Sequence, residues 1–227
     1  MGELIIFLII VIVVVFFFLR GTSLSKKKTR EQALQDLTHF LEGTREPIAA
    51  EDDASCSYRI RFQFGGEPFI YEDHEKQGFK NKVYEAYLRV KTPSTLTLAF
   101  TEKQRSTTIR TDIFIASDIS SQDAAIYKKL HIPKVFKDLN VSTNDTDFAN
   151  ALFEDWKITD TFKRFKNVDS RGYPFLSIGI VKGEVILVFH EESKFNPSLM
   201  SLYSDIASME DYLDQMLILV KKLKTGF

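Results

Sequence analysis

The chain has 227 residues, with 30 Lys+Arg against 31 Asp+Glu and a formal net charge of −1. That balance excludes the basic footprint of a nucleic-acid binder, and 20 phenylalanines in a chain that is 44% hydrophobic exclude a disordered one. The lone cysteine, Cys56, excludes an intrachain disulfide and suits a reducing compartment.

Leu4–Leu19 reads LIIFLIIVIVVVFFFL, sixteen apolar residues without a polar face. As a helix it rises about 24 Å at ~1.5 Å per residue, slightly short of the ~30 Å hydrocarbon core. Glu3 precedes it in place of the basic flank of a cleavable signal, and no small-x-small cleavage site follows Leu19. The run is therefore expected to be an uncleaved, single-pass transmembrane anchor spanning residues 1–22. Arg20, Lys26, Lys27, Lys28 and Arg30 all follow it, so the positive-inside rule puts the N-terminus outside and the rest of the chain on the cytoplasmic face of the plasma membrane. Lys26, Lys27 and Lys28 are also candidates for contact with anionic lipid.

Residues 23–55 read as a basic juxtamembrane helix and linker. Ala33, Leu34, Leu37, Phe40 and Leu41 recur at helical spacing, and Gly43 offers a stop. This helix either lies on the bilayer or packs on the domain, and packing is the plainer expectation. Arg45–Ser55 is acidic and uneven, as a linker is.

Residues 56–227 make one α+β domain. From residue 45 onward the chain carries 25 Lys+Arg against 27 Asp+Glu, so this body sits near −2. Tyr58, Ile60, Phe62 and Phe64 alternate with Arg59, Arg61 and Gln63, the period of a half-buried strand. Gly65-Gly66-Glu67-Pro68 breaks the strand, and the charged residues 72–82 read as an exposed loop. Further strands are expected at Val83–Lys91, Thr95–Thr101 and Thr107–Ala116, joined as an antiparallel meander. A capped helix follows Ser120-Ser121-Gln122-Asp123. Pro133–Leu139 reads as a helical turn and Asn140–Asp147 as a polar stretch. Phe148, Ala151, Leu152 and Trp156 suit a short helix, whereas Trp156–Phe165 fits helix or strand.

Phe175–Val181 and Glu184–His190 flank Lys182-Gly183, the clearest hairpin in the chain. Asn196 and Pro197 open a long C-terminal helix. In it Leu199, Leu202, Ile206, Met209, Leu213, Met216, Val220 and Leu223 recur every three or four residues. That stripe serves either a dimeric coiled coil or a cover for the sheet, and the sheet needs a cover.

No residue stands out as catalytic, cofactor-binding or metal-ligating. His39, His74, His131 and His190 share no ligand spacing with each other or with Cys56. Nucleotide-binding glycine signatures and the GxSxG motif are missing. Asn140-Val141-Ser142 and Asn144-Asp145-Thr146 are sequons that a cytoplasmic body leaves unused. Phe114-Ile115-Ala116-Ser117-Asp118 leaves a strand for a helix, where Ser117-Asp118 serves as a cap more readily than as a site. With the later hairpin and terminal helix, this run resembles bacterial domains of no assigned activity found beside transmembrane segments, which implies an address and a fold class only.

The function expected from these features is a membrane-tethered, non-enzymatic binding or scaffolding module without a cofactor. The alternative is a membrane-anchored enzyme whose site is built from dispersed polar residues. Expected partners are the bilayer through Leu4–Leu19, anionic lipid through the lysines, and a protein or second copy through the C-terminal helix.

Overall fold

The structure is a computed structural model that describes residues 30–48, 57–77, 82–102, 130–168, 174–181, 183–190 and 206–225. Leu4–Leu19, Lys26–Lys28, Cys56, the expected strand Thr107–Ala116, Ser117-Asp118, the helix after Ser120 and Asn196-Pro197 lie outside those residues. Among the described residues no helix is long and apolar enough to cross a membrane.

Eight strands form one antiparallel sheet. They are β1 (Thr44–Ile48), β2 (Ser57–Phe64), β3 (Glu67–Gln77), β4 (Lys82–Lys91), β5 (Leu98–Glu102), β6 (Leu139–Thr143), β9 (Ile178–Val181) and β10 (Glu184–His190), in the order β1-β2-β3-β4-β10-β9-β5-β6. Strands β7 (Lys166–Val168) and β8 (Pro174–Leu176) pair separately. Four helices, α1 (Arg30–Phe40), α2 (Thr146–Glu154), α3 (Trp156–Arg164) and α4 (Ile206–Thr225), contribute buried residues to the main core. The α+β class and the C-terminal helix are thus as expected.

Strand alternation sorts the sheet into two faces. Ile60, Phe62, Phe69, Tyr71, Leu88, Val90, Val185 and Leu187 point into the main core. There Phe100, Phe136 and Phe162 meet in tilted and edge-to-face contacts with ring centroids 5.2–6.5 Å apart. In α4, Met209, Leu213, Met216, Val220 and Leu223 are buried in the same core. From Met209 onward the heptad-like stripe is therefore consumed inside the domain. In α1, Ala33, Leu34 and Leu37 are buried there too, as is Leu41 just past its end, so this helix packs on the domain.

Several expectations give way. The charged residues 72–77 continue β3 and pair with β4 over its whole length. Glu72 is accommodated there because Arg59 on β2 and Arg89 on β4 reach its carboxylate from either side. Thr44–Ile48, read as linker, is an edge strand on β2. Leu139, Val141 and Thr143 alternate with Asn140 and Ser142, so the polar stretch opens with strand β6. Trp156 does not continue the helix of Phe148: Asp155 ends α2 and caps α3, its carboxylate accepting from Lys157 N–H at 3.1 Å.

The meander holds only through β4. The β9–β10 hairpin is inserted between β4 and β5, because β10 is apolar on both faces and belongs at the centre of the sheet. Residues 92–97 arch over its turn. Thr92 N–H donates to Gly183 O at 2.8 Å, and the side chain of Asn144, beside the end of β6, holds Thr97 N–H at 2.6 Å and Thr95 O at 2.9 Å. The hairpin itself is as expected, with Glu184 opposite Val181 and Gly183 at φ 77°. Its first strand is shorter than expected. Ser177 breaks it by donating from N–H to Phe165 O, which sends Leu176 to the small sheet.

Candidate functional site

The face of the sheet turned away from the main core carries the unusual chemistry. Its β4–β5 half is apolar, with Tyr87, Ala99, Val181, Ile186 and Val188 forming a second buried cluster. Its β1–β4 half is an ion-paired ladder. The register aligns Glu46, Arg59, Glu72 and Tyr87 in one row across β1 to β4, and Arg61, Ile70 and Arg89 in the next.

Glu72 is the centre of the ladder and is 7% exposed. Its Oε1 accepts from Arg59 Nη2 at 2.6 Å and Nε at 2.8 Å. Its Oε2 lies 3.1 Å from Arg89 Nε and 3.6 Å from His74 Nε2. Glu46 joins Arg61 at 2.9 Å and Arg59 at 3.7 Å, and Glu184 joins Arg89 at 3.3 Å. Burial alone would raise the Glu72 pKa. Hydrogen bonding from His74 and Arg59, with the charges of Arg89 and Arg59, outweighs it and holds the carboxyl at about 2. A carboxylate so held stays ionised near neutral pH and neither delivers nor collects a proton there. Its work is electrostatic.

Tyr87 closes the cluster, with His74 edge-on at 5.3 Å and the Arg89 guanidinium 5.3 Å from its ring centre. Arg89 Nε is not aligned to donate to Glu72. Among the described residues it is the buried side-chain nitrogen left without a hydrogen bond. Beside it an open groove of about 560 Å³ is lined by Arg61, Ile70, Arg89, Lys91 and Glu184, with Glu42 at its wall.

A second cluster fixes α1 to the sheet. Asp73 is fully buried, and its Oδ1 accepts from Arg30 Nη2 at 2.6 Å. Tyr58 lies between two guanidinium groups, Arg45 at 3.9 Å and Arg30 at 5.5 Å from its ring centre. Arg45 also grips Glu31 with two bonds of 2.7 and 2.8 Å, which lowers the Glu31 pKa and raises that of Arg45. Arg30 therefore spends its charge inside the domain, although the sequence counts it with the basic flank. Asp73 and Glu72 escaped notice because they sit in a charged run, and strand pairing alone supplies their partners.

The three described histidine side chains serve no common site. His39 and His131 are exposed and distant in chain position, and His74 belongs to the ladder. Among the described residues no three His, Cys, Asp or Glu side chains group as a metal site. No family model matches the chain, and neither does any curated protein or solved structure.

Proposed function

We propose that the chain is a membrane-tethered, non-enzymatic binding module, anchored by Leu4–Leu19 with its domain on the cytoplasmic face. The observation that supports this reading most is the Arg30–Asp73 pair, 2.6 Å long and buried on the aspartate side. It locks the first turn of α1 to the sheet at a point separated from Leu19 by only ten residues. Ten residues reach no further than ~35 Å when fully extended. A domain so attached is held near the bilayer, and Lys26, Lys27 and Lys28 in that short connection favour an anionic leaflet by about 1 kcal/mol each. The binding surface is the ion-paired face around Glu72, whose charged groups are fixed in place and not poised for proton transfer.

Alkaline carbonate extraction of membranes carrying the full chain tests the anchor. The chain is expected in the pellet, and release into the supernatant would overturn the tether. A reporter fused after Phe227 tests the orientation, with a cytoplasmic signal expected.

A further inference from the structure

Helices α3 and α4 lie side by side and antiparallel, and both pack into the main core. Three contacts set their alignment. Lys222 meets Asp155 at 3.2 Å, the Thr161 hydroxyl donates to Gln215 at 3.0 Å, and Arg164 meets Asp211 at 3.4 Å. Among the described residues the large hydrophobic side chains left exposed are Trp156, at 72%, and Ile218, at 38%. Both fall on this pair and at the same end of it. Trp156 directly follows Asp155, and Ile218 stands one turn before Lys222 on α4.

We propose that this end of the α3–α4 pair docks on an anionic membrane leaflet, with Trp156 and Ile218 at the headgroup boundary. The charge along the pair favours that occupant. Glu210, Asp211 and Asp214 stand toward the far end of α4, and Lys221, Lys222 and Lys224 stand at the end near Trp156. There Asp155 holds Lys222, Glu67 holds Lys224, and Glu154 is exposed. Among the described residues Lys157 and Lys221 are exposed and have no carboxylate partner. Lys157 Nζ lies 5.9 Å from the Trp156 ring centre. An indole flanked by lysines suits the headgroup level, where the ring meets acyl chains and the ammonium groups meet anionic lipid. Trp156 and Ile218 together expose roughly 200 Å² of apolar side chain. That is well short of the ~800 Å² per partner of a stable protein interface.

The inference rests on the tethered reading. A patch this small holds a membrane weakly, and the anchor supplies an effective concentration on the order of mM that keeps a weak contact occupied. The reach is sufficient. Arg30 holds Asp73 on β3, and Lys224 holds Glu67 six residues earlier on the same strand. Those six residues span ~20 Å, and the ten between Leu19 and Arg30 extend to ~35 Å. Docking also fixes an orientation. Because α3 and α4 lie on the core side of the sheet, it turns the Glu72 face toward the cytoplasm.

Trp156 is the sole tryptophan of the chain, so its fluorescence reports on this site alone. Full-length chains are assembled singly in lipid nanodiscs made of phosphatidylserine and a phosphatidylcholine brominated on its acyl chains. Co-elution with the discs at high salt reports the anchor independently of Trp156. In these discs Trp156 is expected to be quenched by the brominated lipid, and to be quenched by iodide several-fold less than a free tryptophan amide. Lys221→Glu, at an exposed position, is expected to cut the lipid quenching several-fold. A chain that co-elutes, with Trp156 open to iodide and untouched by the brominated lipid, would overturn the docking and leave the tether standing. Shielding from iodide without lipid quenching would mean that protein covers Trp156, and would overturn it as well. Unchanged lipid quenching in Lys221→Glu would overturn the choice of an anionic leaflet. A chain that leaves the discs at high salt would overturn the tether, and the docking with it.

Discussion

Arg30 and Asp73 are 43 residues apart in sequence and 2.6 Å apart in the fold. The aspartate has no solvent exposure and the arginine side chain retains 19%. The two ends of the pair therefore differ in what their loss leaves behind. Arg30→Gln removes the cation that faces a carboxylate buried in the core and is expected to cost about 3–5 kcal/mol, the usual penalty for breaking a buried pair. Asp73→Asn leaves an arginine that can turn toward water and is expected to cost less. Urea unfolding of both variants checks the order; equal losses would mean that burial of the aspartate is not what makes the pair matter.

The end of α1 shows where reading a glycine as a stop misleads. Gly43 N–H donates to Thr38 O and Glu42 N–H to His39 O, the two bonds of a Schellman cap. The left-handed residue in that cap is Glu42, at φ 50°. Gly43 is needed for space, since a Cβ there would meet Ile60 Cγ2 at 2.6 Å and the Arg61 carbonyl at 2.9 Å. Glu42→Gly is expected to raise stability by roughly 0.5–1 kcal/mol, by relieving the left-handed cost. Gly43→Ala is expected to lower it by about 1–3 kcal/mol, because β2 must shift. Thermal unfolding of the two variants should move in opposite directions.

What could be read from the sequence follows from which partners lie within the segment itself. β2, β4 and β10 carry their own apolar period and were legible near their observed bounds, as was the end of α4, whereas β9 is shorter than its apolar run. β1 and the second half of β3 were not, because their charges look solvated until the facing strand is known. Arg59 and Arg89 neutralise Glu72 from strands on either side of β3. No window of the sequence contains all three. The order of the sheet escaped for a similar reason: inserting β9–β10 beside β4 joins residues about a hundred positions apart, and only the two-sided apolar character of β10 hinted at it. The Glu72 cluster was missed with its strand.

The β2–β3 turn separates two glycines that look equivalent. Gly65 and Gly66 have φ of 57° and 83°, a two-residue primed turn joining Phe64 to Glu67. A Cβ at Gly65 would lie 2.3 Å from Leu217 Cδ2, whereas at Gly66 it would meet nothing within 4 Å. Gly66→Asn, a residue that tolerates the left-handed region, is expected to change stability by less than about 0.5 kcal/mol. Gly65→Asn is expected to cost about 1–3 kcal/mol, because it wedges α4 from the hairpin. Similar losses at both positions would put the backbone angle, and not the contact with Leu217, in charge.

Glu72 sets the acid limit of the fold. Its carboxyl titrates near 2 in the folded chain against 4.5 when free. A depressed folded pKa contributes stability that is complete above the free value and is lost as the pH falls from about 4.5 toward 2. At ~1.36 kcal/mol per pKa unit the contribution is at most about 3 kcal/mol, and the part-exposed arginines reduce it by screening. Glu31 and Asp155 are also lowered, by Arg45 and by Lys222 against the opposing effect of burial, so acid unfolding of the native chain has several sources. Glu72→Gln isolates this one. Its amide cannot compensate Arg59 and Arg89, so at pH 7 the variant is expected to be clearly less stable than the native chain. As the pH falls from about 4.5 toward 2 the unfolded chain takes up the proton that folded Glu72 still refuses, and the gap should narrow. Urea midpoints of the two proteins across this range give the test. A gap that stays constant down to pH 2 would mean the glutamate acts through packing and its charge contributes nothing.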